Sequence, residues 1–116
     1  MNKKFLCAFL FSLIFLISIS SAAENVNISG VSVPLISGAA HVDEKDSANV
    51  RVETFVVDKP LAEVIAFYSS FLKNNGFLSM GGEDPSGYNI SAKKDNAMFT
   101  LKIYSQGQKT YINFIW

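Results

Sequence analysis

The amino-acid sequence predicts an α+β domain in which a single helix packs on one face of an antiparallel sheet, in the order β-β-α-β-β-β. Apolar residues of the stretch 61–72 recur at the helical spacing of three and four. Those of the flanking stretches 50–57 and 88–116 alternate at the strand spacing of two. Short links between the later stretches favour antiparallel neighbours. We expect this domain to follow an N-terminal signal peptide.

The N-terminus has the layout of a secretory signal peptide. Lys3 and Lys4 provide a basic start, residues 5–19 form an apolar run, and residues 20–23 are small. The run is shorter than the roughly 20 residues that a bilayer-spanning helix needs. We therefore predict cleavage after Ala23 and a periplasmic or secreted protein. An uncleaved membrane anchor is the alternative.

The composition of the remaining chain limits its class. Removing residues 1–23 from the 116 leaves 93, which is enough for one hydrophobic core. The only cysteine, Cys7, is removed with them, so apolar burial rather than disulfides must stabilise the domain. Without Lys3 and Lys4, the chain has eight basic and ten acidic residues, which gives a net charge of −2. These charges are scattered along the chain rather than clustered. This charge argues against a nucleic-acid partner, and no stable membrane span is left after cleavage.

The domain is predicted to begin with a leader and a loop. Residues 24–32 are polar and rich in Asn, which predicts a flexible leader, so that the single domain covers residues 33–116. Pro34 fixes one backbone angle and Gly38 permits a turn. We expect a loop, called the first loop below, over residues 33–39.

Two strands are predicted before the helix. Residues 40–45 can form a short strand, and residues 46–49 have the composition of a turn. Residues 50–57 are rich in β-branched side chains and begin with alternation. Arg51 and Glu53 therefore point to the face opposite that of their even-numbered neighbours.

The helix is predicted over residues 59–75. Its inward face consists of six residues at helical spacing: Leu61, Val64, Ile65, Tyr68, Phe71 and Leu72. Asp58 can cap the start, and Pro60 is tolerated in the first turn. Gly76 can adopt the left-handed conformation that ends a helix, and Phe77 would then fold back onto Leu72.

Three strands are predicted after the helix, over residues 88–93, 98–104 and 110–116, because apolar and polar residues alternate there. A loop containing Gly and Pro, residues 81–87, precedes the first of them. The last strand is uncharged and ends at Trp116. As an open edge it would promote aggregation, so we expect it to lie inside the sheet or to pair with a partner.

Four stretches of the chain together match a recurring sequence pattern. They are the Val-Pro…Gly-Ala pattern of residues 33–39, the helix segment 63–68 with Leu72, the pair Gly76-Phe77, and residues 87–90. Together they resemble a recurring, uncharacterised type of small exported bacterial α+β domain with a closing β-meander. The resemblance implies the fold and brings no known activity with it. One departure is Ile36-Ser37, which stands where such domains often have Tyr-Pro and predicts a less rigid loop.

The single histidine is the first candidate for chemistry. His41 lies near Asp43, Glu44 and Asp46, so a metal cluster or an acid-base pair is conceivable. The segment lacks the ligand spacing of a zinc site and the alternating oxygen donors of a calcium loop. We interpret it as a solvated charged turn.

Other reactive residue types also lack a catalytic context. Ser69, Ser70 and Ser79 have no second histidine or nucleophile elbow to activate them. Glu83 and Asp84 lie in a loop, where solvated carboxylates are commoner than a glycosidase pair. The neighbouring glycines are not followed by the Gly-Lys-Ser/Thr of a phosphate loop. We therefore predict no catalytic residues, no metal and no cofactor.

The polar face of the last three strands is a candidate partner-binding surface. Its seven residues are Asn89, Ser91, Thr100, Lys102, Tyr104, Tyr111 and Asn113. Tyr104 and Tyr111 should meet across a hairpin, and tyrosines and amides on a rigid sheet can bind an envelope protein or a glycan. The alternative is an ordinary solvated face stiffened by a tyrosine pair.

The function predicted from these observations is a small exported, non-enzymatic binding or interaction module of unknown ligand. Two alternatives remain open at this stage. One is a small hydrolase or hydrolase inhibitor, and the other is a structural component of the cell envelope.

Overall fold

A computed structural model describes residues 24–116, and these residues form one helix, a two-stranded hairpin and a six-stranded sheet. The elements are β1 (Asn25–Ile28), β2 (Val31–Pro34), β3 (Ala40–Ser47), β4 (Val50–Val57), α1 (Leu61–Asn74), β5 (Leu78–Asp84), β6 (Gly87–Lys94), β7 (Ala97–Gln106) and β8 (Lys109–Ile115). The large sheet has the order β3-β4-β8-β7-β6-β5, and all neighbours in it are antiparallel. The predicted α+β class with a single helix on an antiparallel sheet is confirmed. The predicted signal peptide lies outside the described residues.

The strand order differs from the predicted one at the N-terminus. The stretch 24–32, predicted to be a flexible leader, instead forms β1 and the start of β2, joined by a turn at Gly30 with a φ of 87°. Val26 and Ile28 alternate with polar residues, and both are buried. The prediction was wrong because two apolar residues among asparagines are too few to show a period of two.

A second difference lies after the helix. Most of residues 81–87, predicted to be a loop, belongs to β5, which pairs with β6 along its whole length. The turn is reduced to Pro85 and Ser86. Gly81 fits a strand here because the Tyr88 side chain lies across it, so a Cβ at Gly81 would be 2.6 Å from the Tyr88 Oη. Glycine in a strand often marks such a close approach.

The helix begins and ends near the predicted positions. Pro60 has extended dihedral angles and occupies the N-cap position, so Asp58 lies too far back to cap α1 and that prediction was wrong. At the other end Gly76 has a φ of 79°, and the Phe77 N–H donates to the Leu72 carbonyl at 3.0 Å. The predicted left-handed stop is confirmed. Within residues 24–116 no helix is long and apolar enough to cross a bilayer.

The hydrophobic core lies between α1 and one face of the sheet. On the helix, Val64, Tyr68 and Leu72 are fully buried, whereas Phe71 is only half-buried and packs against the Phe77 ring at 5.8 Å. The sheet contributes Phe55, Ile90, Phe99, Leu101, Ile103, Ile112 and Phe114, and the hairpin contributes Val26, Ile28 and Val33. The helix and the hairpin therefore share a single core.

The position of β8 agrees with its uncharged sequence. This strand lies between β4 and β7, in the interior of the sheet, as predicted. The two edges of the sheet are β3 and β5. Strands on both sides satisfy the backbone of β8, so the apolar C-terminal segment presents no free edge.

Candidate binding face

The sheet has two faces, and the described helix and hairpin both pack on the same one. We call the opposite face the open face. Alternation along each strand fixes its members, because residues two apart share a side. In β4, for example, Phe55 and Val57 are buried against the core, while Val52 and Thr54 lie on the open face and are half-buried.

All seven predicted partner-binding residues lie on the open face, and the strand register brings them together. Lys102 is opposite Asn89 on one side and Asn113 on the other. In the row on one side of Lys102, Thr100 is opposite Ser91, and in the row on the other side, Tyr104 is opposite Tyr111. The residues thus form a continuous surface across β6, β7 and β8: Asn89, Ser91, Thr100, Lys102, Tyr104, Tyr111 and Asn113.

The two tyrosines form a stacked pair. The ring centroids of Tyr104 and Tyr111 are 5.4 Å apart, with an angle of 13° between the ring planes. Both side chains are half-buried although no described element covers them. Each ring therefore limits the rotamers of the other, and the pair is a rigid, partly apolar feature in the middle of a polar face.

A hollow of about 460 Å³ lies beside the tyrosine pair. It is lined by Val42, Asp43, Lys45, Val52, Thr54, Tyr104, Tyr111 and Asn113. The Thr54 hydroxyl donates to the Asn113 side-chain oxygen at 2.8 Å, which fixes the orientation of that amide. The part of this hollow that comes from β3 and β4 was not predicted from the sequence. The alternation of residues 50–57 placed Val52 and Thr54 on one face, but not next to Asn113.

A hydrogen-bond network at the β5–β6 turn holds two of the seven residues. Asp84 accepts hydrogen bonds from the Ser86 hydroxyl at 2.8 Å and the Ser86 N–H at 2.7 Å, and another from the Asn89 amide. The Lys102 ammonium lies 3.6 Å from the same carboxylate and also donates to the Ser86 hydroxyl. The hydrogen bonds from Ser86 are the main reason why the pKa of Asp84 falls to about 2.

This network was not anticipated from the sequence, where Asp84 was assigned to a solvated loop. The Ser86 hydroxyl donates to the Asp84 carboxylate and accepts from the Lys102 ammonium. With a pKa of about 2, this carboxylate is a weak base towards the hydroxyl proton. The arrangement instead orients Asn89 and Lys102 on the open face.

The remaining candidates are dispersed. The His41 Nε2 lies 3.3 Å from Glu44, and its ring packs edge-on against Phe55. Arg51 pairs with Glu44 and with Asp46, which neutralises these carboxylates. Within residues 24–116 no three His, Cys, Asp or Glu side chains are grouped to hold a metal ion.

The three serines and the carboxylate pair considered in the sequence also do not come together in one site. Ser69 and Ser70 are exposed on the outer side of α1, and Ser79 is exposed on β5. Glu83 and Asp84 are consecutive strand residues, so their side chains point to opposite faces of the sheet.

Comparison with known proteins places the chain in a family. Neither a curated protein nor a solved structure matches the chain. The model of a protein family described as START domain-like matches residues 36–109, from the first loop through α1 to the start of β8. This match covers more than half of the 116 residues. The chain, with its helix packed on an antiparallel sheet, therefore belongs to the START domain-like family.

Proposed function

We propose that this protein is a non-enzymatic ligand-binding module and that its binding surface is the open face around Tyr104 and Tyr111. One observation carries the proposal: a stacked tyrosine pair borders a hollow of about 460 Å³ on the face that the helix and hairpin leave open. That volume is within the range of about 300–1,000 Å³ typical of ligand sites. The family match is consistent with a ligand-binding role.

The rigidity of this surface supports binding. Its central residues are on β4, β7 and β8, which are interior strands and are therefore paired on both sides. The tyrosine rings restrict each other, and the Asn113 amide is held by Thr54. Little side-chain entropy is therefore lost when a partner binds, which increases affinity for a given contact area.

The lining of the hollow favours a neutral ligand. Asp43 and Lys45 bring opposite charges, while Thr54 and Asn113 bring hydrogen-bonding groups. The tyrosine rings add apolar contact area. A ligand with hydroxyl groups and an apolar side fits this combination, and a glycan is the first class to test.

A glycan array followed by titration calorimetry with the best-bound glycan tests the proposal. The double variant Tyr104→Ala, Tyr111→Ala should bind at least about tenfold more weakly, because central aromatic residues of an interface each contribute about 2 kcal/mol or more. The matched control is Ser69→Ala, Lys73→Ala on the exposed side of α1, which should bind like the wild type. Equal affinity of the two double variants would contradict the proposal, provided that both show the wild-type circular dichroism spectrum.

The non-enzymatic assignment has its own test. A panel of ester, peptide and glycoside substrates should show no turnover above that of a His41→Ala variant. Turnover that depends on His41 would support the alternative of a small hydrolase.

We also propose that the protein is exported, on the basis of the basic, apolar and small segments of residues 1–23. Mass spectrometry of the protein recovered from the periplasm or the medium should find a chain that begins at Glu24. A recovered chain that still begins at Met1 would contradict this proposal.

A further inference from the structure

The two edges of the sheet differ in how they are protected. β3 has a bulge between His41 and Asp43 and a charged run, residues 43–46, both of which hinder edge-to-edge pairing. β5 pairs with β6 in continuous register without a bulge. Its Leu78 and Met80 side chains are 76% and 80% exposed. Of the two edges, β5 is therefore the one open to another strand.

The exposed apolar residues at this edge form a patch. A hollow of about 410 Å³ lies there, lined by Leu78, Ser79, Met80, Ser91, Ala92, Lys93 and Met98. Met98, on β7, is also 65% exposed. Apolar side chains grouped beside a free strand edge are typical of an interaction surface.

The two glycines of β5 are not equivalent. Gly81 is explained within the chain, because the Tyr88 side chain occupies the place of its Cβ. Gly82 is not, since a Cβ there would meet nothing within 4 Å. Glycine weakens a strand unless something packs over it. Gly82 therefore leaves a gap on the open face next to the exposed Met80.

We propose that β5 pairs antiparallel with β5 of a second copy of this chain, about a two-fold axis at Gly81. In this register Met80 of each copy is opposite Gly82 of the other, so that the methionine covers the gap. The contact is self-complementary, as a two-fold interface requires. Two six-stranded sheets would join into one.

Charge favours a second copy in this orientation. Lys93, on β6, is directly opposite Leu78, so a basic side chain lies beside one end of β5. The other end is acidic because it contains Glu83 and Asp84. Antiparallel pairing brings each basic end next to the acidic end of the other copy, whereas parallel pairing would bring like charges together. The two-fold axis is perpendicular to the sheet, so both open faces point the same way.

The oligomeric state of the purified full chain tests the proposal. Light scattering after size-exclusion chromatography should give twice the mass of the chain for the wild type. Met80→Lys should reduce this to the mass of one chain, because it places two ammonium groups near each other at the centre of the contact. The matched control, Val42→Lys, changes another exposed apolar residue on the opposite edge and should leave the dimer intact. A monomeric wild type, or a dimer that persists in Met80→Lys, would overturn the proposal.

Cysteine cross-linking tests the register, in a Cys7→Ser background. Directly opposed residues of an antiparallel pair have Cα atoms about 4.5–5.5 Å apart, within the span of a disulfide. A mixture of Met80→Cys and Gly82→Cys chains should therefore cross-link faster than either variant alone. Equal rates would refute the register. Hydrogen exchange tests whether the partner strand comes from a second copy. If the β5 amides are protected in a complex with a different protein but not in the purified chain, the second copy is not the occupant.

Discussion

The Tyr68 hydroxyl joins the helix to the first loop. It donates to the Pro34 carbonyl at 3.0 Å and accepts from the Ile36 N–H at 3.1 Å. Burial raises the pKa of this hydroxyl, so it stays protonated and performs both roles. The ring also packs edge-to-face on Phe114 at 5.8 Å. Tyr68 is therefore both a core residue and the polar link that positions the first loop.

Tyr68→Phe should destabilise the domain by about 1–3 kcal/mol, because it leaves the buried Ile36 N–H and the Pro34 carbonyl without their partner. Urea unfolding monitored by circular dichroism measures the effect. Tyr88→Phe is the control, since the Tyr88 hydroxyl makes no hydrogen bond with the described residues, and it should change stability by less than about 0.5 kcal/mol. Equal unfolding midpoints for the two variants would show that the Tyr68 hydrogen bonds contribute nothing.

The Asp84 network should make stability depend on acid pH. The pKa of Asp84 is about 2 in the folded chain against an ordinary 3.8, so the unfolded chain binds this proton more readily. The stabilisation that the Asp84 carboxylate contributes is therefore complete above about pH 4 and is lost as the pH falls towards 2. The gap in urea midpoint between wild type and Asp84→Asn should narrow over this range.

Glu83→Gln is the control for this titration, because it removes a charge from the same strand without touching the network. A wild-type-to-Asp84→Asn gap that stays constant from pH 4 to pH 2 would contradict the assignment of the low pKa to Asp84.

At the level of elements, local patterns predicted the parts of the chain that have one buried side. The apolar residues of α1 recur at helical spacing and those of β7 and β8 alternate strongly, so the buried faces of these elements were assigned correctly. β5 was missed because both of its faces are exposed, so Leu78 and Met80 show no contrast that a period could reveal. β1 was missed because it is short, and its burial depends on a core assembled from distant residues.

The β5–β6 turn depends on one glycine. Gly87 begins β6 with a φ of 148°, and a Cβ there would be 2.5 Å from the Ile103 carbonyl oxygen and 2.9 Å from the Tyr104 Cβ. Because Gly87 has no side chain, β6 can lie close to β7, the strand that carries Tyr104. Gly87 therefore affects both the β5–β6 turn and the position of Tyr104 on the proposed binding surface.

Gly87→Ala should destabilise the domain by about 1–3 kcal/mol, because the methyl group meets backbone that cannot rotate away and the φ is unfavourable for alanine. Gly82→Ala is the matched control, because within one chain a Cβ at Gly82 meets nothing within 4 Å. It should be close to neutral at a protein concentration low enough to keep the chain monomeric. Thermal unfolding compares the two. Near-ultraviolet circular dichroism should also change in Gly87→Ala alone, because Tyr104 is displaced. Identical melting temperatures would contradict the close approach.

At the level of the whole molecule, the open face combines residues from distant parts of the chain. The seven predicted residues share a face because alternation fixes the side of each strand. The hollow beside them was not predictable, because it requires β4 to pair with β8, and Thr54 and Asn113 are 59 positions apart in sequence. Local patterns indicate which side a residue faces, and only the strand order shows which neighbours it has.

The N-terminal hairpin decides where the folded unit begins. Ile28 is fully buried in the core that α1 and the sheet form, so residues 24–32 should belong to the same cooperative unit as the rest. Ile28→Ala should cost about 2–5 kcal/mol, a large part of the 5–15 kcal/mol that stabilises a typical domain. Ser32→Ala, an exposed position of the same hairpin, should change stability by less than about 0.5 kcal/mol. Urea unfolding distinguishes the two, since equal midpoints would mean that the hairpin is a loosely held leader and that the domain begins at residue 33.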